Sequence, residues 1–156
     1  MLTSGGKRAT QRCPCGYWRT KLRECRCRDG DVVRYRSRIS GPLLDRIDLF
    51  VDVPSIDVEE LRRGPRPESS ATVRARVEEA RARRERSGDT PLTEDAERTL
   101  LKAARNMALS ARGISRCVGV ARTIASLAGH DTIEESDVGE ALQFRVPPAS
   151  VGAPVP

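Results

Sequence analysis

Four of the five cysteines fall within fifteen residues: Cys13-Pro14-Cys15, nine residues, then Cys25-Arg26-Cys27. Four thiolates satisfy a tetrahedral Zn²⁺ with Zn–S distances of about 2.3 Å. The two C-x-C units can arrive from the two sides of a hairpin, and Gly16 permits the turn. Arg12, Arg19, Arg23, Arg26 and Arg28 surround them; cationic neighbours lower thiol pKa and offset part of a metal–thiolate charge. A site closed by four cysteines keeps no open position, so such a zinc is structural. Two disulfides or free thiols are the alternatives. Cys117 sits in an apolar helical stripe and reads as core.

Two arginines sit where a phosphate could be read. Arg46 follows Leu43-Leu44-Asp45 and precedes an apolar alternation. A cation held at a strand edge can reach a neighbouring subunit's γ-phosphate and stabilise charge in phosphoryl transfer. The simpler alternative is an ion pair with Asp45 or Asp48. Arg112 falls in the first turn of a helix capped by Ser110, where the helix dipole disfavours a cation. That placement makes sense if an anion docks there, and Gly113 leaves room for close approach. The alternative is an arginine with its head in solvent. Arg116 and Arg122 lie off the apolar stripe. His130, the only histidine, reads as a post-helix loop residue. Ser4-Gly5-Gly6-Lys7 resembles a phosphate loop only superficially, because Arg8 follows the lysine and no strand precedes it.

These residues need a scaffold. Among the 156 residues, 38% are hydrophobic, 3% aromatic and 32% charged, which favours helices with solvated charged faces. Residues 1–46 hold twelve Lys/Arg against four Asp/Glu, a net +8, while the whole chain carries +6. That concentration suits a polyanionic partner or a solvated basic surface. No apolar run reaches transmembrane length and Met1–Thr10 has no signal-like core, so a cytoplasmic location without membrane association is expected.

A short basic helix is predicted over Val32–Ser40. Ile47, Leu49, Val51 and Val53 alternate with Asp48, Phe50 and Asp52, predicting a strand that Pro54 ends. Arg62–Glu68 reads as a linker. Four helices follow. Ser69 or Ser70 caps the first, through about Arg86, with Val73, Val77 and Ala80 inward. Thr93 caps the second, with Ala96, Leu100, Ala103 and Met107 on one face. Ser110 caps the third, carrying Ile114, Cys117, Val118, Ala121, Ile124, Ala125 and Ala128, and Gly129 ends it. The fourth, about Glu134–Phe144, buries Val138, Ala141 and Leu142. From Val146 the tail should be disordered.

The blocks CPCGYW, CRC, VVRYRSRISGPLLDRIDLFVDVP, SSATVRARVEEARARR, LSARGISRCVGVARTIASLAG and DVGEALQFR resemble the ComM/YifB family of magnesium-chelatase-like AAA+ ATPases. The resemblance runs from about Cys13 to Arg145. It implies a mostly α chain: a four-helix AAA+ lid following the last strand and zinc knuckle of an incomplete α/β AAA+ core. The implied division is 1–65 for the end of the core, 66–147 for the lid and 148–156 for the tail. Cys13, Cys15, Cys25 and Cys27 match the zinc-knuckle cysteines. Arg46 matches the arginine finger, and Arg112 the lid's sensor-2 arginine. Gln11-Arg12 stand where the family has Asn-Pro, so Gln11 occupies the sensor-1 position without its usual residue.

Family members are ring-forming, hexameric ATPases that promote branch migration of DNA in recombination and natural transformation. ATP and Mg²⁺ therefore enter only in the context of a full-length ATPase. No stretch here matches Walker A or Walker B, so the chain alone is expected to be inactive. The competing readings are a stand-alone basic zinc-containing DNA-binding module and a non-functional remnant. A DNA-binding module should bind DNA alone and release it steeply with salt. A lid segment should bind neither DNA nor ATP well without its core.

Overall fold

The computed structural model describes residues 10–18, 20 and 23–145. The expectations for Met1–Ala9, Arg19 and the tail from Val146 lie outside them. Among the described residues there are seven helices: α1 (Asp29–Arg36), α2 (Gly41–Leu44), α3 (Val58–Arg63), α4 (Ser70–Ser87), α5 (Glu94–Asn106), α6 (Ala111–Ala128) and α7 (Glu135–Gln143).

The last four helices pack together, with α6 against α7 and α4, and α5 against α7. Their starts are fixed by hydroxyl caps that satisfy otherwise orphaned N–H groups. Ser69 Oγ accepts from Thr72 N at 3.1 Å, Thr93 Oγ1 from Ala96 N at 3.3 Å, and Ser110 Oγ from Gly113 N at 3.0 Å. α6 stops at Gly129, whose φ of 90° lies in the left-handed region that only glycine enters freely.

The core joins Ala96, Leu100, Cys117, Ala121, Ala125, Ile133, Val138 and Ala141, with Ile114, Val118, Ile124 and Leu142 against it. Burying a Leu- or Ile-sized side chain stabilises by about 1.5–3 kcal/mol. The connections into α5 and α7 are stitched by a parallel bridge, Leu92 with Ile133. Ile133 N donates to Pro91 O at 2.8 Å, and Thr93 N to Ile133 O at 3.0 Å.

Two expectations fail at the margins of this bundle, and one buried position was not anticipated. Val73 and Ala128 are exposed, and Ala104 joins the buried face of α5. α4 meets α6 mainly through its C-terminal half, where Ala80 is buried and Arg83 donates to Ser126 O at 2.7 Å. Val73 lies nearly two turns before that contact.

The first half departs further. α1 begins at Asp29, ahead of the predicted Val32, because Asp29 and Asp31 stabilise its positive N-terminus. α2 and α3 were not anticipated, and α3 carries helix to Arg63, into the expected linker. The strand over Ile47–Val53 is absent: the segment is irregular, with a bend at Asp48, and no strand ladder forms among the described residues. Leu49, Val51 and Val53 are 47%, 63% and 79% exposed, increasingly so along the segment. An alternating sequence makes a strand only when neighbours complete its hydrogen bonds and cover one face.

Candidate functional site

The cysteine cluster forms around a tight turn. Gly16 N donates to Cys13 O at 3.1 Å. Pro14 has the fixed φ that suits the second turn position, and Gly16 takes φ +83°. Gln11 folds its side chain near this turn, with Oε1 3.7 Å from where a Cβ on Gly16 would stand.

All five cysteines are free. Cys13 Sγ lies 3.4 Å from Cys15 Sγ and 3.7 Å from Cys25 Sγ, and Cys15 and Cys25 are 3.6 Å apart. With Cys27, the four sulfur atoms fall within 4.8 Å of one another. Tetrahedral Zn–S bonds of about 2.3 Å put sulfurs about 3.8 Å apart, so this donor set fits a tetrahedral, thiophilic divalent cation.

The thiols resist ionising together. Backbone hydrogen bonds from Tyr17 and Arg26 lower Cys15 to about 6. Cys27 receives a backbone hydrogen bond from Cys15 that favours its thiolate. Desolvation and the neighbouring Cys15, Cys13 and Cys25 sulfurs outweigh it and push Cys27 up to about 12. A divalent cation would remove that conflict, since coordinated thiols are held deprotonated.

Around the knuckle, Arg36 is buried and lies 5.3 Å from the Trp18 ring centre; Arg23 lies 5.5 Å from that of Tyr17. Both aromatic faces are therefore engaged by this chain's own guanidinium groups. Arg12 pairs with Asp52, tying the cysteine cluster to the segment between α2 and α3.

Arg46 does not stand at a strand edge. It follows the C-cap of α2, and its backbone N–H donates to Leu43 O at 3.0 Å. Its side chain is exposed and makes no ion pair among the described residues. The two carboxylates expected to pair with it are engaged elsewhere. Asp48 pairs with Arg116. Asp45 accepts from Ser110 Oγ at 2.8 and 2.9 Å, one distance to each carboxylate oxygen, and lies 3.9 Å from Arg145 Nη2.

Arg112 lies in the first turn of α6, exposed and likewise without an ion pair among the described residues. That turn contains no acidic residue of its own. Asp45 approaches the same turn: its Oδ1 would stand 3.4 Å from a Cβ on the buried Gly113. Asp45, Leu44, Phe50, Met107, Leu109 and Arg145 line a shallow cavity of about 430 Å³ beside this contact.

Sequence reasoning considered Asp45 only as an ion-pair partner for Arg46, and assigned no role to Ser110's second bond or to Arg145. The hint was Gly113 in a helix start without acids, although nothing local says which carboxylate fills it. Arg122 pairs with Asp89, and Cys117 is fully buried in the core. His130 borders the bundle with Nδ1 3.0 Å from the buried Asp137 carboxylate, whose hydrogen bond raises its pKa. No helix among the described residues is long and apolar enough to cross a membrane.

The class follows from two matched family descriptions. Residues 8–61 match magnesium chelatase, subunit ChlI, and residues 84–145 match magnesium chelatase, subunit ChlI C-terminal. Competence protein ComM of Haemophilus influenzae is 36% identical over 129 residues, covering 73% of this chain and 25% of that protein. The uncharacterized protein YifB of Escherichia coli is 36% identical over 139 residues, covering 77% and 27%. An uncharacterized protein of Mycobacterium tuberculosis is 32% identical over 159 residues, covering 88% and 30%. The chain belongs to the ComM/YifB family of magnesium-chelatase-like proteins. It spans between a quarter and a third of the length of these relatives. No solved structure matches it.

Proposed function

We propose that this chain supplies the helical lid, zinc knuckle and trans-acting arginine of a magnesium-chelatase-like AAA+ ATPase that works on DNA. In this reading residues 1–65 close the ATPase core, 66–147 form the lid, and 148–156 are a tail. Cys13, Cys15, Cys25 and Cys27 would hold a structural Zn²⁺, which when bound crosslinks the two C-x-C units. Arg46 would act as the finger toward a neighbouring subunit's nucleotide. Arg112 would contact the γ-phosphate as sensor 2, and Gln11 stands at the sensor-1 position. ATP and Mg²⁺ belong to the assembled homo-oligomer, a hexameric ring in the cytoplasm, whose task is branch migration. The name of the ComM relative ties the family to competence.

One observation carries this reading. Arg46 and Arg112 are both exposed with no carboxylate partner among the described residues, while the acids flanking Arg46 are drawn onto α6. Unneutralised guanidinium groups fixed near a subunit surface suit transient recognition of phosphate. In the assembled ATPase, Arg46→Ala should lower kcat by about 10³-fold or more, with ATP affinity largely kept. Weakened ATP binding with normal turnover would overturn the finger assignment.

The separate DNA-binding module has less support, because Tyr17 and Trp18 already face arginines of this chain. Binding of DNA by the isolated chain, with affinity falling steeply in salt, would bring that reading forward.

A further inference from the structure

We propose that Asp45 is a positioning residue, latching the Arg46 turn onto the first turn of α6 so that Arg46 and Arg112 are presented to nucleotide as one rigid unit. The inference rests on the roles proposed above for those two arginines and adds the group that couples them.

A continuous hydrogen-bonded chain makes the latch. Gly113 N donates to Ser110 Oγ at 3.0 Å, and the same hydroxyl donates to the Asp45 carboxylate at 2.8 and 2.9 Å. Ser110 thus caps α6 and passes the positive end of the helix on to a carboxylate from a segment 65 residues away. α6 has no acid in its own first turn, so Asp45 supplies the charge that the helix start favours. Further ties fix the direction of approach. Arg145, 6% exposed, donates through Nη1 to Ile47 O and lies beside Asp45. Phe50 N donates to Phe144 O at 2.9 Å, and Asp48 pairs with Arg116 on α6.

Arg46 therefore sits between anchored neighbours. On one side, Asp45 is held by Ser110; on the other, Ile47, Asp48 and Phe50 are held by Arg145, Arg116 and Phe144. Its own backbone is fixed by the bond to Leu43 O. Rotation of the helical bundle must carry Arg46 along with Arg112. A finger for one nucleotide and a sensor for another then move together, which couples adjacent sites of a ring through geometry alone.

The test uses the assembled ATPase. Asp45→Asn keeps the shape but weakens the charge-assisted bond, and should lower kcat up to about a hundredfold with KM for ATP within about twofold. Asp45→Glu should recover part of the loss. Ser110→Gly removes the donor at small cost to the helix cap. It should reproduce the Asp45→Asn effect, and the double variant should be no worse than either alone. Backbone amide exchange of Ile47–Phe50 should rise in both variants while α7 stays protected, separating a released turn from an unfolded chain. Unchanged kcat in Asp45→Asn and Ser110→Gly, or additive losses, would overturn the latch. Arg46→Ala in parallel keeps the two questions apart. If Arg46→Ala is silent, the finger assignment itself fails; if it abolishes turnover while the latch variants are normal, only the latch fails.

Discussion

Cys13 and Ile133 are both completely buried, but by different means. Ile133 lies in an apolar layer shared by α5, α6 and α7. Cys13 lies in the cysteine cluster, and beyond it only Val32 and Arg36 are buried among the described residues before α4. The bundle thus supplies the apolar burial that holds a small domain together, while the first half has too little. Small units without a core depend on a metal or on neighbours, and here both devices appear: four convergent thiols, and polar ties to the bundle through Asp45, Asp48 and Ile47.

Removing metal should break this comparison most visibly. Loading with Zn²⁺ and then stripping it with a chelator should unfold the knuckle, since structural zinc contributes on the order of 10 kcal/mol. The helical circular dichroism of α4–α7 should persist. Loss of the whole helical signal would mean that the bundle leans on the knuckle. The reverse experiment is Ile133→Ala, which should destabilise the bundle by about 2–5 kcal/mol. Zinc stoichiometry in the folded state should be unchanged, as read by calorimetry and metal analysis.

A pH series sharpens the same contrast within the bundle. The hydrogen bond from Asp137, with the charges of Asp137 and Glu134, raises His130 above its ordinary 6.5 despite opposing burial. The folded state therefore favours the protonated ring. Its stabilisation is complete below the unfolded pKa of 6.5 and is lost as pH rises through the higher folded value. The Tm of the zinc-loaded protein should fall over that window, and His130→Asn should flatten the fall. An identical slope in the variant would assign it to other groups.

The smallest effect is expected at Ala108, in the α5–α6 turn, with φ at +49°. Glycine accepts that conformation without strain, so Ala108→Gly should change stability by no more than about 1 kcal/mol, in the stabilising direction. A clear drop in Tm would show that the alanine methyl packs more than its backbone strains.

Legibility followed the same divide. Ser69, Thr93, Ser110 and Gly129 marked the ends of α4, α5 and α6 because caps and stops act within one turn of chain. The cysteine spacing likewise announced a cluster that the folded knuckle brings together. Ile47–Val53 misled because a two-residue period records the sheet a segment is suited to join, not the one present. Asp45 was misread as a partner for Arg46, its immediate neighbour. Its actual partner, Ser110, lies far along the chain, where no periodicity points to it. The buried role of Arg145 was hidden for the same reason.

The parallel bridge between Leu92 and Ile133 bears on how the chain reaches this state. It joins backbone about 40 residues apart, a closure costing about 3 kcal/mol in chain entropy before any contact repays it. Each helix flanking it can flicker alone, but Thr93 and Ile133 meet only when the starts of α5 and α7 already lie side by side. The bridge is thus a late, all-or-none event, and α5 and α7 should gain lasting protection together, whichever of them first turns helical.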